Sequence, residues 1–134
     1  LLGRCPMPCR GIRGATTVET DSTAAILTAT RELLEHIIEA NHVATEDVAG
    51  VLFTVTQDLT AAFPAQAARE LGWQHVPLLH AQEIPVPGSL PRCMRVLLLW
   101  NTRKSQAQIH HIYLRGAVVL RPDLVDTPQR VKGG

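Results

Sequence analysis

Cys93-Met94-Arg95-Val96-Leu97-Leu98-Leu99-Trp100 is the stretch on which the fold turns. It is a short apolar, β-compatible run, with a turn cluster before it and polar residues after it. That pattern predicts a strand through the protein interior. Strand side chains alternate between faces, so Cys93, Arg95, Leu97 and Leu99 share one side. A guanidinium is thereby set among a thiol and two leucines. Arginine cannot shed its charge, so in such a place it needs either a protein carboxylate or an anionic ligand.

Working outward, Val76–Ala81 is a second apolar run whose Pro77 suggests an edge strand or an early strand position. The Pro- and Gly-rich segment 82–89 links it to the first stretch as a loop. Val48–Thr56 reads as a buried strand. Arg10–Ala15 reads as a short strand with two glycines, in which Arg10 and Arg13 have opposite parity and only one can point into a shared pocket. Ile26, Leu27, Leu33, Leu34, Ile37 and Ile38 recur at helical spacing, with N-cap candidates at Asp21-Ser22-Thr23, and predict a helix over 23–41. Phe63-Pro64 opens a short helix that runs through Leu71 and stops at Gly72. Segment 101–108 is polar and flexible in character. Two last apolar runs, Ile109–Leu114 and Ala117–Leu120, are parted by a turn at Arg115-Gly116 and extend the series of strands. The order predicts an α+β domain over 10–124: a mixed β-sheet packed against one long and one short helix on one face. Its remaining apolar surface is left for a partner subunit. Residues 1–9 are expected to form a leader and 125–134 a flexible tail.

A chain of 134 residues is one domain by length. No apolar run approaches the roughly 20 residues of a membrane span, so no membrane partner is expected. The N-terminus lacks a signal-peptide core, and a cytoplasmic location is the expectation. The net charge is +1 with no basic tract, which argues against nucleic acid. Eleven Arg against two Lys would suit planar carboxylate recognition, although GC-rich codon usage explains the ratio at least as well. Three cysteines and no second ligand pair beside Cys5 and Cys9 predict neither a disulfide scaffold nor a metal site. No cofactor is expected.

Arg13, Arg69, Glu83, Arg95 and Arg121 are the charged residues embedded in apolar or Gly/Pro surroundings. No Ser-His-Asp arrangement, Walker loop or dinucleotide fingerprint accompanies them. Several arginines and one carboxylate suit a small dianion. An Arg95–Glu83 pair serving only packing carries equal weight. His36, His42, His75, His110 and His111 fit surface or satisfied core positions better than catalytic ones.

Arg10-Gly-Ile-Arg-Gly-Ala-Thr-Thr-Val18, Phe63-Pro-Ala65, Arg69-Glu-Leu71, Gly72-Trp-Gln74, Val76-Pro77, Gln82-Glu83, Cys93-Met-Arg95-Val96 and Tyr113-Leu114 with Ala117–Leu124 stand in the order found in the AroH-class chorismate mutases, which the chain resembles over about residues 10–124. The resemblance implies a trimeric pseudo-α/β-barrel, a homotrimer with active sites between subunits, and the rearrangement of chorismate to prephenate in aromatic amino acid biosynthesis. It assigns Arg95 to the breaking ether oxygen, Glu83 to the ring hydroxyl and positive end of the transition state, and Arg13 and Tyr113 to carboxylates. Phe63 and Leu120 become apolar walls, Arg69 and Arg121 cations near the mouth, and Leu79, His80, Ala81 and Gln82 pocket lining. Here Leu79 stands where a threonine is common, His80 where a cysteine is, and Gln66 where a lysine is. His80 is expected to titrate near neutrality. A non-catalytic trimer binding a small carboxylate, as a sensor or accessory subunit, is the competing reading.

Overall fold

β1 (Cys9–Thr17), β2 (Val48–Val55), β3 (Leu78–Gln82), β4 (Cys93–Asn101) and β5 (Ile112–Tyr113) form one sheet in the order β3-β2-β4-β1-β5. They belong to a computed structural model that describes residues 7–121. The stretch 93–101 is the middle strand, antiparallel to β2 on one side and β1 on the other. The outer pairs, β2 with β3 and β1 with β5, are parallel. A parallel pair needs a crossover, which for β2 and β3 contains the short helix α2 (Ala65–Glu70). Pro77 precedes β3 at the sheet edge, where its missing N–H costs no ladder bond.

The long helix α1 (Thr23–Asn41) begins at Ser22, whose extended backbone and Oγ, accepting from the Ala25 N–H at 3.1 Å, supply the cap. It ends where His42 turns left-handed (φ 56°) and returns its N–H to the Ile38 carbonyl. Leu33, Leu34 and Ile37, fully buried, pack with Ala65 and Ala68 of α2 against Ile12, Phe53, Val96 and Leu98. α1 comes close to β1 because Gly14 has no side chain. A Cβ there would lie 2.8 Å from Ile37 Cδ1 and 3.1 Å from both Leu33 Cδ1 and Val96 Cγ2. Gly72 (φ 95°) closes α2 in the left-handed conformation that glycine adopts without a Cβ penalty.

The alternation in β4 has the expected parity, but only one of its faces lies in the core. Met94, Val96, Leu98 and Trp100 are buried toward the helices, whereas Leu97 and Leu99 are 38% and 40% exposed on the other face. The sheet therefore has one covered face and one open face, and Arg95 sits on the open one. Alternation reveals which residues share a side; it does not reveal which side the helices cover.

Two expectations at the C-terminal end are corrected. Ala117–Leu120 is not a strand: Arg115–Val119 coils into a 3₁₀ turn, with Arg115 left-handed (φ 52°) and the Gly116 N–H donated to Thr17 Oγ1. The coil seats Ala117 against Tyr113 and Ala15. The polar segment 101–108 is also ordered by specific bonds. Its 3₁₀ turn Gln106–Gln108 carries a capping box at Ser105, and Gln106 reaches across to β1. β1 itself starts at Cys9. The expected tail lies outside the described residues. No described helix is long and apolar enough to cross a membrane.

Candidate active site

Cross-strand register places the open-face side chains in rows. One row runs Leu79, Leu52, Leu97, Arg13 across β3, β2, β4 and β1, and the next runs Ala81, Thr54, Arg95, Ala15, Tyr113 out to β5. Residues far apart in the chain thus become neighbours: Arg13, Leu52, Thr54, Glu83, Arg95 and Leu97 line one cleft of about 200 Å³. Arg10, of opposite parity to Arg13, lies away from this cleft, and its Nε donates to the Lys104 carbonyl at 2.9 Å.

Glu83 follows β3 directly, and its N–H extends the ladder to the Val55 carbonyl at 2.8 Å. Its carboxylate accepts from Thr54 Oγ1, and Oε2 stands 3.2 Å from Arg95 Nε. The Arg95–Glu83 distance is that of an ion pair, but its alignment is not that of a hydrogen bond, and the buried Nε has no aligned acceptor. Neither partner is sealed off: the Arg95 side chain keeps 32% of its exposure and Glu83 19%. A charge pair in a half-open cleft holds the guanidinium in place while leaving it accessible to an anion. Of the alternatives for Arg95, a protein carboxylate is present, and it lies in a cleft that also contains Arg13.

Tyr113 completes the second row. It is buried with Ala15 and Ala117, Leu90 and Leu120 packing around them, and its hydroxyl has no hydrogen-bond partner among the described residues. An unpaired buried hydroxyl costs free energy unless something supplies a bond. Arg121 is exposed beyond the last turn, and after burial and Arg13 it is a lesser cause of the lowered pKa of His111.

A second group lies apart from the arginine cleft. Phe63, His80, Ala81 and Gln82, with Gln66, line a larger cleft of about 630 Å³ beside the 56–62 loop. His80 pairs with Phe53 in register, so its ring faces the helices, opposite to Arg95. It lies between Phe53 (centroids 5.6 Å apart, stacked) and Phe63 (5.1 Å, tilted). Its Nε2 accepts the Ala65 N–H at 3.1 Å, which puts the neutral ring's proton on Nδ1. Burial, with Arg69 as the lesser cause, lowers its pKa from 6.5. The neutral ring, which accepts the Ala65 N–H, is thereby favoured over the charged one. Phe63 and Leu79 are largely exposed (70% and 67%).

The sequence reading missed Leu52 and Thr54. Both lie inside an apolar β2 run, and only pairing with β4 shows that they face Arg95. Among the described residues no cluster of three or more His, Cys, Asp or Glu side chains could hold a metal.

Comparison with known proteins agrees with this fold. The family model for chorismate mutase type I matches residues 9–124. The chain is 62% identical over 116 residues to the chorismate mutase AroH of Thermus thermophilus, covering 86% of this chain and 95% of that protein. It is 55% identical over 119 residues to the chorismate mutase AroH of Bacillus subtilis, covering 88% and 94%. The solved chorismate mutase of Clostridium thermocellum superposes with a TM-score of 0.80 at 47% identity, over 81% of this chain and 97% of that one. The mixed sheet, the one-sided helices and the ordered match along the chain lead to one conclusion: this protein belongs to the chorismate mutase type I family.

Proposed function

We propose that this chain is a chorismate mutase that performs the intramolecular Claisen rearrangement of chorismate to prephenate on the open face of its sheet, with Arg95 as the central catalytic group. The supporting observation is the joint placement of Arg95, Glu83 and Arg13 in one cleft. The reaction breaks an ether C–O bond and forms a C–C bond within one molecule, so it requires no nucleophile, proton relay or metal. Two tasks remain for the protein. It must hold the dicarboxylate in the compact conformer that reacts, and it must meet the negative charge that grows on the ether oxygen. Arg95 on the middle strand is suited to the second task, because its ion pair with Glu83 positions the cation before substrate arrives. Arg13 takes a substrate carboxylate, and Glu83 meets the ring hydroxyl and the positive allyl end. Tyr113, whose hydroxyl lacks a bond among the described residues, serves the second carboxylate.

The working unit in this proposal is a homotrimer with sites between subunits. Two observations support it. Leu79, Leu97 and Leu99 are exposed together on the open face, and grouped exposed apolar side chains suit a protein–protein contact. The arginine cleft and the Phe63–His80 cleft also lie apart within one chain, so in the proposed trimer Phe63, Arg69 and Leu79–Gln82 of one subunit would close the Arg95 cleft of the next. Leu120 and Arg121 would flank the carboxylate end, and the catalytic unit would span 10–124. Loss of the chorismate diene absorbance, followed with purified protein, tests the reading. Prephenate should form many orders of magnitude faster than in buffer, whereas a rate equal to that of buffer would leave a non-catalytic carboxylate binder.

A further inference from the structure

β1 carries Arg13 along an edge that β5 covers only in part. Main-chain pairing reaches just Gly14 with Ile112 and Ala15 with Tyr113, followed by the Leu114 N–H to the Ala15 carbonyl at 2.9 Å. Toward the start of β1, side chains replace the missing strand. His111 Nδ1 accepts the Arg13 N–H at 3.0 Å, and Gln106 both accepts the Gly11 N–H at 3.3 Å and donates to the Gly11 carbonyl at 2.7 Å. The backbone of Arg13 is therefore tied to an imidazole, where a regular ladder would supply a carbonyl. A carbonyl accepts at every pH, whereas an imidazole nitrogen accepts only when it carries no proton.

We propose that His111 is a positioning residue for Arg13: its unprotonated Nδ1 holds the β1 backbone in the register that aims the Arg13 guanidinium into the substrate cleft. This rests on the reading that Arg13 binds a substrate carboxylate. In the accepting state the ring proton is on Nε2. Protonation sets an N–H against the Arg13 N–H, breaks the bond and places a cation among cations. The charged and titratable groups that act on the ring are Arg13 from β1, Arg121 from beyond the last turn, and the adjacent His110. None of these described groups is a carboxylate. With burial as the largest cause, all of them push His111 below its usual 6.5, so the accepting state is the resting one at neutral pH. Acidification through that lowered pKa releases Arg13.

The test compares His111→Leu, His111→Asn and Arg13→Gln with the parent, measuring KM and kcat for chorismate between pH 5 and 8, with circular dichroism to verify the fold. Leu removes the acceptor. Asn offers its Oδ1 near the position of Nδ1 and cannot be protonated. His111→Leu should raise KM by roughly 10- to 100-fold with kcat nearly unchanged, as misplacement of a positioning group does. His111→Asn should restore the parental KM at pH 7.5 and keep it flat on acidification, where the parent's climbs. A parental KM in His111→Leu, or an acid rise in His111→Asn as steep as the parent's, overturns the proposal. If His111→Leu does not fold, the Asn profile decides. Arg13→Gln separates the two levels. A raised KM there together with an unaffected His111→Leu sinks the positioning role alone, while an unchanged KM in Arg13→Gln sinks the carboxylate role of Arg13 and this proposal with it.

Discussion

Arg95 and His80 occupy opposite faces of the sheet and are held by opposite means. Arg95 meets a charge: Glu83 lies 3.2 Å from Nε and is itself steadied by Thr54. Replacing Arg95 by Gln removes the cation but leaves Glu83 its Thr54 bond, so the protein should stay folded while kcat falls by at least about 10²–10³-fold, the usual loss for one preorganised donor. Unfolding of that variant in a thermal melt would instead identify the pair as structural. His80 is held by exclusion of charge, between two phenylalanines with its Nε2 on the Ala65 N–H. Its folded pKa lies below the unfolded value of 6.5. Between those two values the unfolded chain binds a proton that the folded chain refuses, so stability rises with pH. His80 therefore costs nothing well above pH 6.5, destabilises the fold progressively as pH falls below it, and levels off beneath the lowered pKa. Melts between pH 7.5 and 5 should show this acid loss, and His80→Gln should flatten part of it; an equally steep loss in the variant would clear His80 of the effect.

Among the elements, α1 and β1 are matched through a missing side chain. Gly14 allows Ile37, Leu33 and Val96 to converge on one point of the strand. A methyl group at that point meets three closely packed groups together, and overpacking of this kind typically costs about 1–3 kcal/mol. Gly14→Ala should lose that much in urea denaturation despite its better intrinsic propensity, and a variant as stable as the parent would mean that the helix can move outward freely. The helix was legible because its apolar stripe repeats and Ser22 stands at its start. β3 was legible by its apolar run, with Pro77 marking its edge position. The 3₁₀ coil at Arg115–Val119 was not legible, since Ala117–Leu120 has strand composition. The chain coils because Thr17 and Glu32 hold Gly116 and Arg115 from other elements.

At the scale of the molecule, the open face is where assembly is expected. Leu99 pairs with Gly50 on one side and Gly11 on the other, so it projects between two residues without side chains. Leu99→Lys should turn the proposed trimer into a monomer in analytical ultracentrifugation. It should also abolish activity while the helix-side core stays intact, because Leu99 contributes nothing to that side. A trimer that persists with lysine at this position would place the interface elsewhere.

The amino-acid pattern by itself determined the elements, their order and the parity of each strand, because these depend on residues a few positions apart and on local propensity. It also isolated Arg13, Glu83 and Arg95 as charges in apolar surroundings. Only the tertiary structure decided which face of the sheet the helices cover, that Thr54 and Leu52 stand opposite Arg95 and Leu97, and that a histidine nearly one hundred residues away (98) secures the Arg13 backbone. Those relations come from register between distant strands, and a strand's sequence records which of its residues share a side but not which partner lies across from them.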